Sequence, residues 1–308
     1  MPRRSPVRAV LLTLSAIAGG LPAQTVPARP RIVGIAQIAL WTGNPENARL
    51  FYGGQLGYEE PFQPERSGAG SSPLCFKVND RQYIEVLPGW KGPGQLVLAR
   101  IAFETDDAPR LRDYLAAKGV GVPPRVTKDG DGNLSFTIRD PDGHDVGFVQ
   151  YLPGSLHWRN FGRHLPATRV SERIIHAGTT VSDRAAFDRL YRDILGFREF
   201  WHGGMTGDRT DWVDMRVPDG TDWLEYMLNV RNPMTERALG VMNHMALGVP
   251  DIHAAHKLVL ARGLNPGEEP KIGRDGKWQL NLYDPNLTRA ELMEPKPVRT
   301  PCCSPMEN

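Results

Sequence analysis

One pattern recurs four times along the body of this 308-residue chain: a short apolar strand, a helix, then strand-forming stretches that end in an alternating strand. Units of mixed strand and helix leave strand edges that need partners, so the repeat points to paired sheets rather than to a solenoid. The third copy is the clearest. Its first strand runs from Arg173 to Val181, Ser182 reads as the N-cap, and Phe187, Leu190, Tyr191, Ile194 and Leu195 fall on one helix face before Gly196 stops the helix. After a glycine-rich loop, Trp212 to Val217 and Asp222 to Leu228 read as strands about the turn Pro218, Asp219, Gly220.

The fourth copy begins at Met242 to Val249, passes through a helix bearing Ile252, Ala255 and Val259, and closes with Trp278 to Tyr283 and Thr288 to Met293. The first opens at Ile32 to Trp41, with Asn44 and Pro45 as cap and first helical residue, and closes at Gln82 to Leu87. The second runs from Val97 to Thr105, through Ala108, Leu111 and Leu115, to a last strand at His144 to Gln150. Between the second and third copies, Leu152 to Ser171 carries Pro153, Gly154 and Pro166 with little apolar periodicity. The expected organisation is therefore a two-copy domain over 31–151, a linker over 152–171, a two-copy domain over 172–295, and a Pro-rich disordered tail over 296–308.

Residues 1–23 read as a secretory signal: Arg3, Arg4 and Arg8 precede the apolar run Ala9 to Ala18, and Ala23 offers a small residue for cleavage. The run is too short to span a bilayer, so an exported, periplasmic or secreted protein with no retained membrane anchor is expected. The formal net charge is +2, and removal of the three leader arginines leaves a body near neutrality, which gives no global electrostatic reason to seek nucleic acid or anionic membrane. Cys75, Cys302 and Cys303 have neither the number nor the spacing of a disulfide framework or zinc knuckle, and the adjacent pair sits in the expected tail.

His176, Glu225, His244 and Glu291 stand on four separate strands of the third and fourth copies. Imidazole and carboxylate side chains gathered in this way are the usual shell of a divalent transition metal. Strand side chains alternate faces, so His176 shares a side with Gly178 and Thr180, and Glu225 with Trp223 and Met227, while the intervening apolar residues can pack on the helix. The same split holds for His244 and Glu291. All four side chains turn away from their helices, and a curved sheet would bring them together in its concave cleft. Trp223 and Met227 would line a substrate pocket there, with Trp201, His202, Trp212 and Trp278 as further candidates; His253 and His256 read as surface residues of a helix.

The equivalent positions of the first two copies are Gln37, Glu85, Arg100 and Gly147. Arg100 has no lone pair to give and Gly147 no side chain, so this half is expected to hold no metal and Arg100 to pair with Glu85.

The stretch HAGTTVSDRAAFDRLYRDILGF from His176 to Phe197 resembles the opening strand and helix of the vicinal oxygen chelate superfamily, the glyoxalase, bleomycin-resistance and dioxygenase fold. DPNLTRAE from Asp284 to Glu291 and DPDGHDVG from Asp140 to Gly147 resemble its closing signature. The resemblance spans roughly Arg31 to Pro295. It implies an α+β fold of four βαβββ modules, paired into two curved mixed β-sheet clefts with helices outside. It further implies one divalent metal ion (Fe, Mn, Ni, Co or Zn) held by His176, Glu225, His244 and Glu291, and a small-molecule substrate with neighbouring oxygens. In glyoxalase-like members the carboxylates matched by Glu225 and Glu291 also move a proton, an isomerase or lyase chemistry. An extradiol ring-cleaving dioxygenase using His176, His244 and Glu291 is the alternative, against which Glu225 counts as an extra ligand. A non-catalytic binding or resistance protein is a second alternative. With four modules in one chain, a monomer or homodimer is expected.

Overall fold

The computed structural model describes residues 1, 27–64, 72–231 and 233–307; the leader falls outside the described residues. Among the described residues no helix is long and apolar enough to cross a membrane. The described residues form fifteen strands in two sheets. The first contains β1 (Ile32–Thr42), β2 (Leu74–Lys77), β3 (Tyr83–Pro88), β4 (Leu98–Thr105), β5 (Thr127–Lys128), β6 (Leu134–Arg139) and β7 (Asp145–Gln150), in the order 2-3-1-4-7-6-5. The second contains β8 (Arg173–Thr180), β9 (Arg198–Gly203), β10 (Trp212–Arg216), β11 (Trp223–Met227), β12 (His244–Gly248), β13 (Lys271–Ile272), β14 (Trp278–Tyr283) and β15 (Arg289–Met293), in the order 13-14-15-12-8-11-10-9.

Each sheet is two modules joined at their first strands. β1 pairs antiparallel with β4 and parallel with β3, and β8 pairs antiparallel with β12 and parallel with β11. The α+β class and the curved mixed sheets match expectation, with one departure: the second strand of the first module shrinks to a single bridge, Glu59 with Lys77. The outer faces carry the helices and the main core, including Phe51, Tyr52, Leu111, Phe187, Tyr191, Tyr226, Ile252 and Val259. Burial of these side chains at about 1.5–3 kcal/mol each holds helix to sheet.

Asp284 and Asp140 show why the last strand of a module starts where it does. Asp284 Oδ1 accepts from the amides of Asn286 and Thr288, and Asp140 Oδ1 from those of Asp142 and His144, so each carboxylate fixes the turn that reverses the chain into β15 or β7. The halves are cemented by Asp222, whose carboxylate accepts from the Ile35 amide, the Gln82 side chain and the Arg173 guanidinium.

Several local expectations are corrected. Asp183, not Ser182, caps the third-copy helix, accepting from Ala185 and Ala186 amides, because Ser182 is engaged by Asp142 of the other half. Met242 ends a short helix, Glu236–Met242, capped by Thr235, instead of opening a strand. His256 is buried and lies 3.5 Å from Glu269, while His253 is exposed and packs on Trp278.

The expected disordered tail is the largest correction. Residues 296–307 cross the open side of the second sheet as a strap. Val298 and Arg299 amides donate to Gly276 O, and the Cys302 amide to Arg274 O, beside β13. Beyond them the His202 amide donates to Ser304 Oγ, and the Glu307 amide to Phe200 O, on the edge strand β9. Cys302 and Cys303 are joined in a vicinal disulfide, and Met306 packs against the Phe200, Trp201 and Trp223 cluster. Edge strands present unpaired backbone groups, and the strap satisfies several of them without needing apolar periodicity of its own. Truncation after Pro295 is expected to cost about 2–4 kcal/mol, from those hydrogen bonds and the Met306 contact. Chemical denaturation would read this, and an unchanged midpoint would show the strap to be an ornament on the sheet.

Candidate metal centre

The registers of the second sheet arrange the cleft-facing side chains in rows. Gly178 on β8 lies opposite Glu225 on β11 and His244 on β12, and Glu225 in turn lies opposite Asp214 on β10. In the next row, His176 lies opposite Trp223 and Ala246, and Ala246 opposite Glu291, which pairs with Asn281 on β14. Gly178 between Glu225 and His244, and Ala246 between His176 and Glu291, let these long side chains lean together. A Cβ on Gly178 would come within 2.0 Å of His244 Cε1, so the imidazole lies directly on the glycine backbone.

All four expected residues meet. His176 Nε2 is 3.1 Å from His244 Nε2 and 3.8 Å from both Glu225 Oε2 and Glu291 Oε2. His244 Nε2 is 3.2 Å from Glu225 Oε2 and 3.7 Å from Glu291 Oε2. Donor atoms of His176, His244 and Glu291 lie within 4.8 Å of one another. Bonds of ~2.1 Å to a shared ion place two donors roughly 3.0 Å apart at a right angle and roughly 3.4 Å at a tetrahedral angle, so the observed spacings suit a common cation. Burial lowers the pKa of His176 well below its ordinary value, with nearby His244, Arg289 and Lys277 adding to the effect against Glu225. Burial likewise lowers that of His244, reinforced by Arg289. Both rings are thus held neutral, and the Met242 carbonyl 3.4 Å from His244 Nδ1 favours the tautomer that keeps the lone pair on Nε2, the nitrogen that Arg289 Nη2 approaches to 2.6 Å. Burial pushes Glu291 up to about 7, helped by Glu225 and Asp275 and opposed by Arg289 and Lys277. The donor set fits a divalent cation: two neutral imidazoles and two carboxylates, nearly dry, aimed at one point.

The cluster borders a cavity of about 410 Å³ whose walls include Trp201, Met205, Trp212 and Met293. Two expectations about its lining need correction. Trp223 is buried behind His176, ring centroids 4.9 Å apart, and supports the imidazole instead of facing the cavity. Met227 faces a neighbouring apolar cavity of about 380 Å³, which shares Met205 and Trp212 with the first. Trp278 packs on the helix side, and His202 bonds Glu199.

Four residues that strand and motif spacing did not single out complete the site. Asp214 is buried, its carboxyl raised by burial and by the Glu225 charge opposite. Lys277 is also buried, 3.1 Å from Asp275 and with its ammonium 4.5 Å from the Trp223 ring centroid. Arg289 Nη2 lies 2.6 Å from His244 Nε2. Two of these carried a signal: Asp214 and Arg289 have the strand parity of Glu225 and Glu291. The other two lie in the turn Asp275, Gly276, Lys277, which repeats Asp131, Gly132, Asn133 of the first half.

In the first sheet, Arg100 Nη2 donates to Glu85 Oε2 at 2.7 Å and lies 3.3 Å from Gln37 Oε1, and its side chain lies across Gly147. The guanidinium holds the place where the second sheet gathers its donors.

The model of the Glyoxalase/Bleomycin resistance protein/Dioxygenase superfamily matches residues 34–148 and 173–292, so the chain belongs to that superfamily. Its fold is similar to a variant of homoprotocatechuate 2,3-dioxygenase from Brevibacterium fuscum, at 18% identity and a TM-score of 0.63 over 88% of this chain and 73% of that one. The anaerobic complex of that enzyme with 3,4-dihydroxyphenylacetate matches over 94% of this chain and 88% of its own, again at 18% identity and 0.63. The Mn(II)-bound glyoxalase from Novosphingobium aromaticivorans matches at 16% identity and 0.64, over 86% and 83%. No curated protein sequence matches the chain.

Gly178→Ala is expected to leave the strand intact, since alanine suits extended backbone, while pushing His244 off its position. Divalent-ion affinity, read by titration calorimetry, should fall at least about tenfold. Unchanged affinity would remove His244 from the ligand set.

Proposed function

We propose that the protein is a metal-dependent, glyoxalase-like enzyme that binds two neighbouring oxygens of a small substrate and moves a proton at the adjacent carbon. The observation that carries this reading is the fourth donor: Glu225 Oε2 stands 3.2 Å from His244 Nε2, beside a compact His176, His244 and Glu291 set. His176, His244 and Glu291 would hold the ion, and Glu225 would serve as ligand or base. When bound, a divalent ion supplies Lewis acidity, which favours the charge that develops on a carbonyl or hydroxyl oxygen as the neighbouring C–H proton leaves.

The chain's own residues provide the rest. Glu225 lines the cavity, where its carboxylate can receive a proton from substrate carbon. Asp214 stands opposite it on β10, its buried carboxyl raised by burial and by the Glu225 charge. Trp223 packs on the ring of His176, and the strap presses Met306 on the same aromatic cluster, so the imidazole is held from behind. Trp201, Trp212 and Met293 give the substrate an apolar seat, with the exposed Met205 at its rim.

A second reading, extradiol ring cleavage, is favoured by the compact two-His, one-Glu set and by the fold shared with homoprotocatechuate 2,3-dioxygenase. Among the described residues, the lining of the 410 Å³ cavity includes no phenol and no imidazole beyond those of the donor cluster.

The purified protein is expected to hold about one divalent ion per chain, lost in His244→Ala and Glu291→Ala and kept in Gln37→Ala. Elemental analysis checks this, and equal loss from all three would move the centre out of the second sheet. With metal present, solvent-proton exchange into α-hydroxy carbonyl compounds and no oxygen uptake with catechols is the expected pattern. Glu225→Gln should lower that exchange roughly 100-fold or more. Oxygen uptake without exchange would replace the proton-transfer reading with ring cleavage.

A further inference from the structure

Arg289 is a largely but not fully buried cation with donors left over. Its side chain is 15% exposed, and its Nε has no hydrogen-bond partner. Nη2 rests against the His244 ring, 2.9 Å from Nδ1 and 2.6 Å from Nε2, and Nη1 is 3.8 Å from Glu291 Oε2, beyond hydrogen-bonding reach. A guanidinium withdrawn from water is costly unless an anion accepts its fork of N–H groups, and among the described residues no carboxylate lies within hydrogen-bond distance of it.

Of the nearby cations, Lys277 also has an ammonium with no hydrogen-bond partner among the described residues, but it is sealed beneath the Trp223 ring and does not line the cavity, and the two that do line it are engaged. Lys271 donates to Glu268, Arg274 donates to Gly204 O and lies on Cys302 Sγ, and Lys277 lies against Asp275. Arg289 lines the same 410 Å³ cavity as Glu225, Glu291 and His176. It also stands within one residue width of the convergence point of the four donors. An acceptor placed on Arg289 would therefore belong to the substrate itself, a bond or two from the oxygens bound at the cluster.

Resting on the chelation reading above, we propose that Arg289 is the specificity-determining residue of this site and selects a substrate whose vicinal oxygens stand directly beside a carboxylate. The guanidinium takes the carboxylate through a charge-assisted, paired hydrogen bond, which fixes the direction from which the neighbouring oxygens reach the donor cluster. A compound with the same two oxygens and no carboxylate leaves the guanidinium without its acceptor. One whose carboxylate is farther from the two oxygens places it away from the fork.

The test is titration calorimetry of the manganese-loaded protein with 2,3-dihydroxybenzoate, 3,4-dihydroxybenzoate and catechol under nitrogen, with metal content measured for each variant. The wild type is expected to bind 2,3-dihydroxybenzoate at least tenfold tighter than the other two. Arg289→Gln should bring the three affinities together while catechol still binds, and Arg289→Lys should keep only part of the preference. Because the ratio of affinities is compared within each variant, a change in metal loading does not imitate the result. Equal wild-type affinities for the three probes, or a preference that survives Arg289→Gln, would overturn the role of Arg289 and leave chelation standing. Failure of all three to bind the metal-loaded wild type would overturn chelation and this assignment together.

Discussion

The centre depends on the register of one antiparallel pair, β8 with β12. That register sets Gly178 opposite His244 and Ala246 opposite His176, so each imidazole leans over a residue with little or no side chain. The two Nε2 atoms can approach to 3.1 Å only because of those gaps. A slip of β12 by one residue would turn His244 to the helix side and bring Met245 into the cleft, leaving His176 without its partner. The outer strands then add their carboxylates by ordinary parallel pairing, Glu225 from β11 and Glu291 from β15.

The two sheets share this frame and differ in how they neutralise it. In the first, β4 places Arg100 where β12 places His244, and the guanidinium pairs with Glu85 inside the protein. Gly147, at the position of Glu291, gives the arginine side chain room: a Cβ there would stand 3.0 Å from Arg100 Cδ. A permanent internal cation and the loss of one acid go together, because a further carboxylate at 147 would crowd the arginine. The second sheet keeps both acids and offers imidazoles in place of the guanidinium, so its acids look to a cation that the chain supplies only in part.

Much of this was legible in the sequence, and the physics of strands explains the division. Period-two alternation and the fourfold repeat identify the residues that face the cleft, so His176, Glu225, His244 and Glu291 could be read together. The same parity applied to Asp214 and Arg289, but neither type stands out without a motif: an aspartate or arginine on a strand is ordinarily a surface residue. The strap was illegible for a different reason. Its order comes from backbone groups meeting the unpaired edges of β9 and the β13 turn, and such bonds leave no side-chain pattern in Pro295 to Asn308. Trp223 was placed on the right face and assigned the wrong neighbour, since parity gives a side of the sheet and not depth within the cleft.

The straps clarify why the two halves end as they do. After β7 the chain lays the Leu156 amide on Asp131 O, and after β15 it lays the Val298 and Arg299 amides on Gly276 O. Asp131 and Asp275 occupy the same turn of the repeat, each followed by a glycine at positive φ, 85° and 80°, that lets the strap pass close. In the first half the strap brings His157 to stack on Tyr151, with ring centroids 3.6 Å apart, beside Tyr83. In the second half it brings Met306 and Cys302 to the aromatic edge and leaves the wall of Arg289, Glu225 and Trp212 bordering a cavity. The same closing element thus packs aromatic rings together in one module pair and steadies the Trp223 support of His176 in the other. The acid and imidazole chemistry collects on the side where the strap stays at the rim.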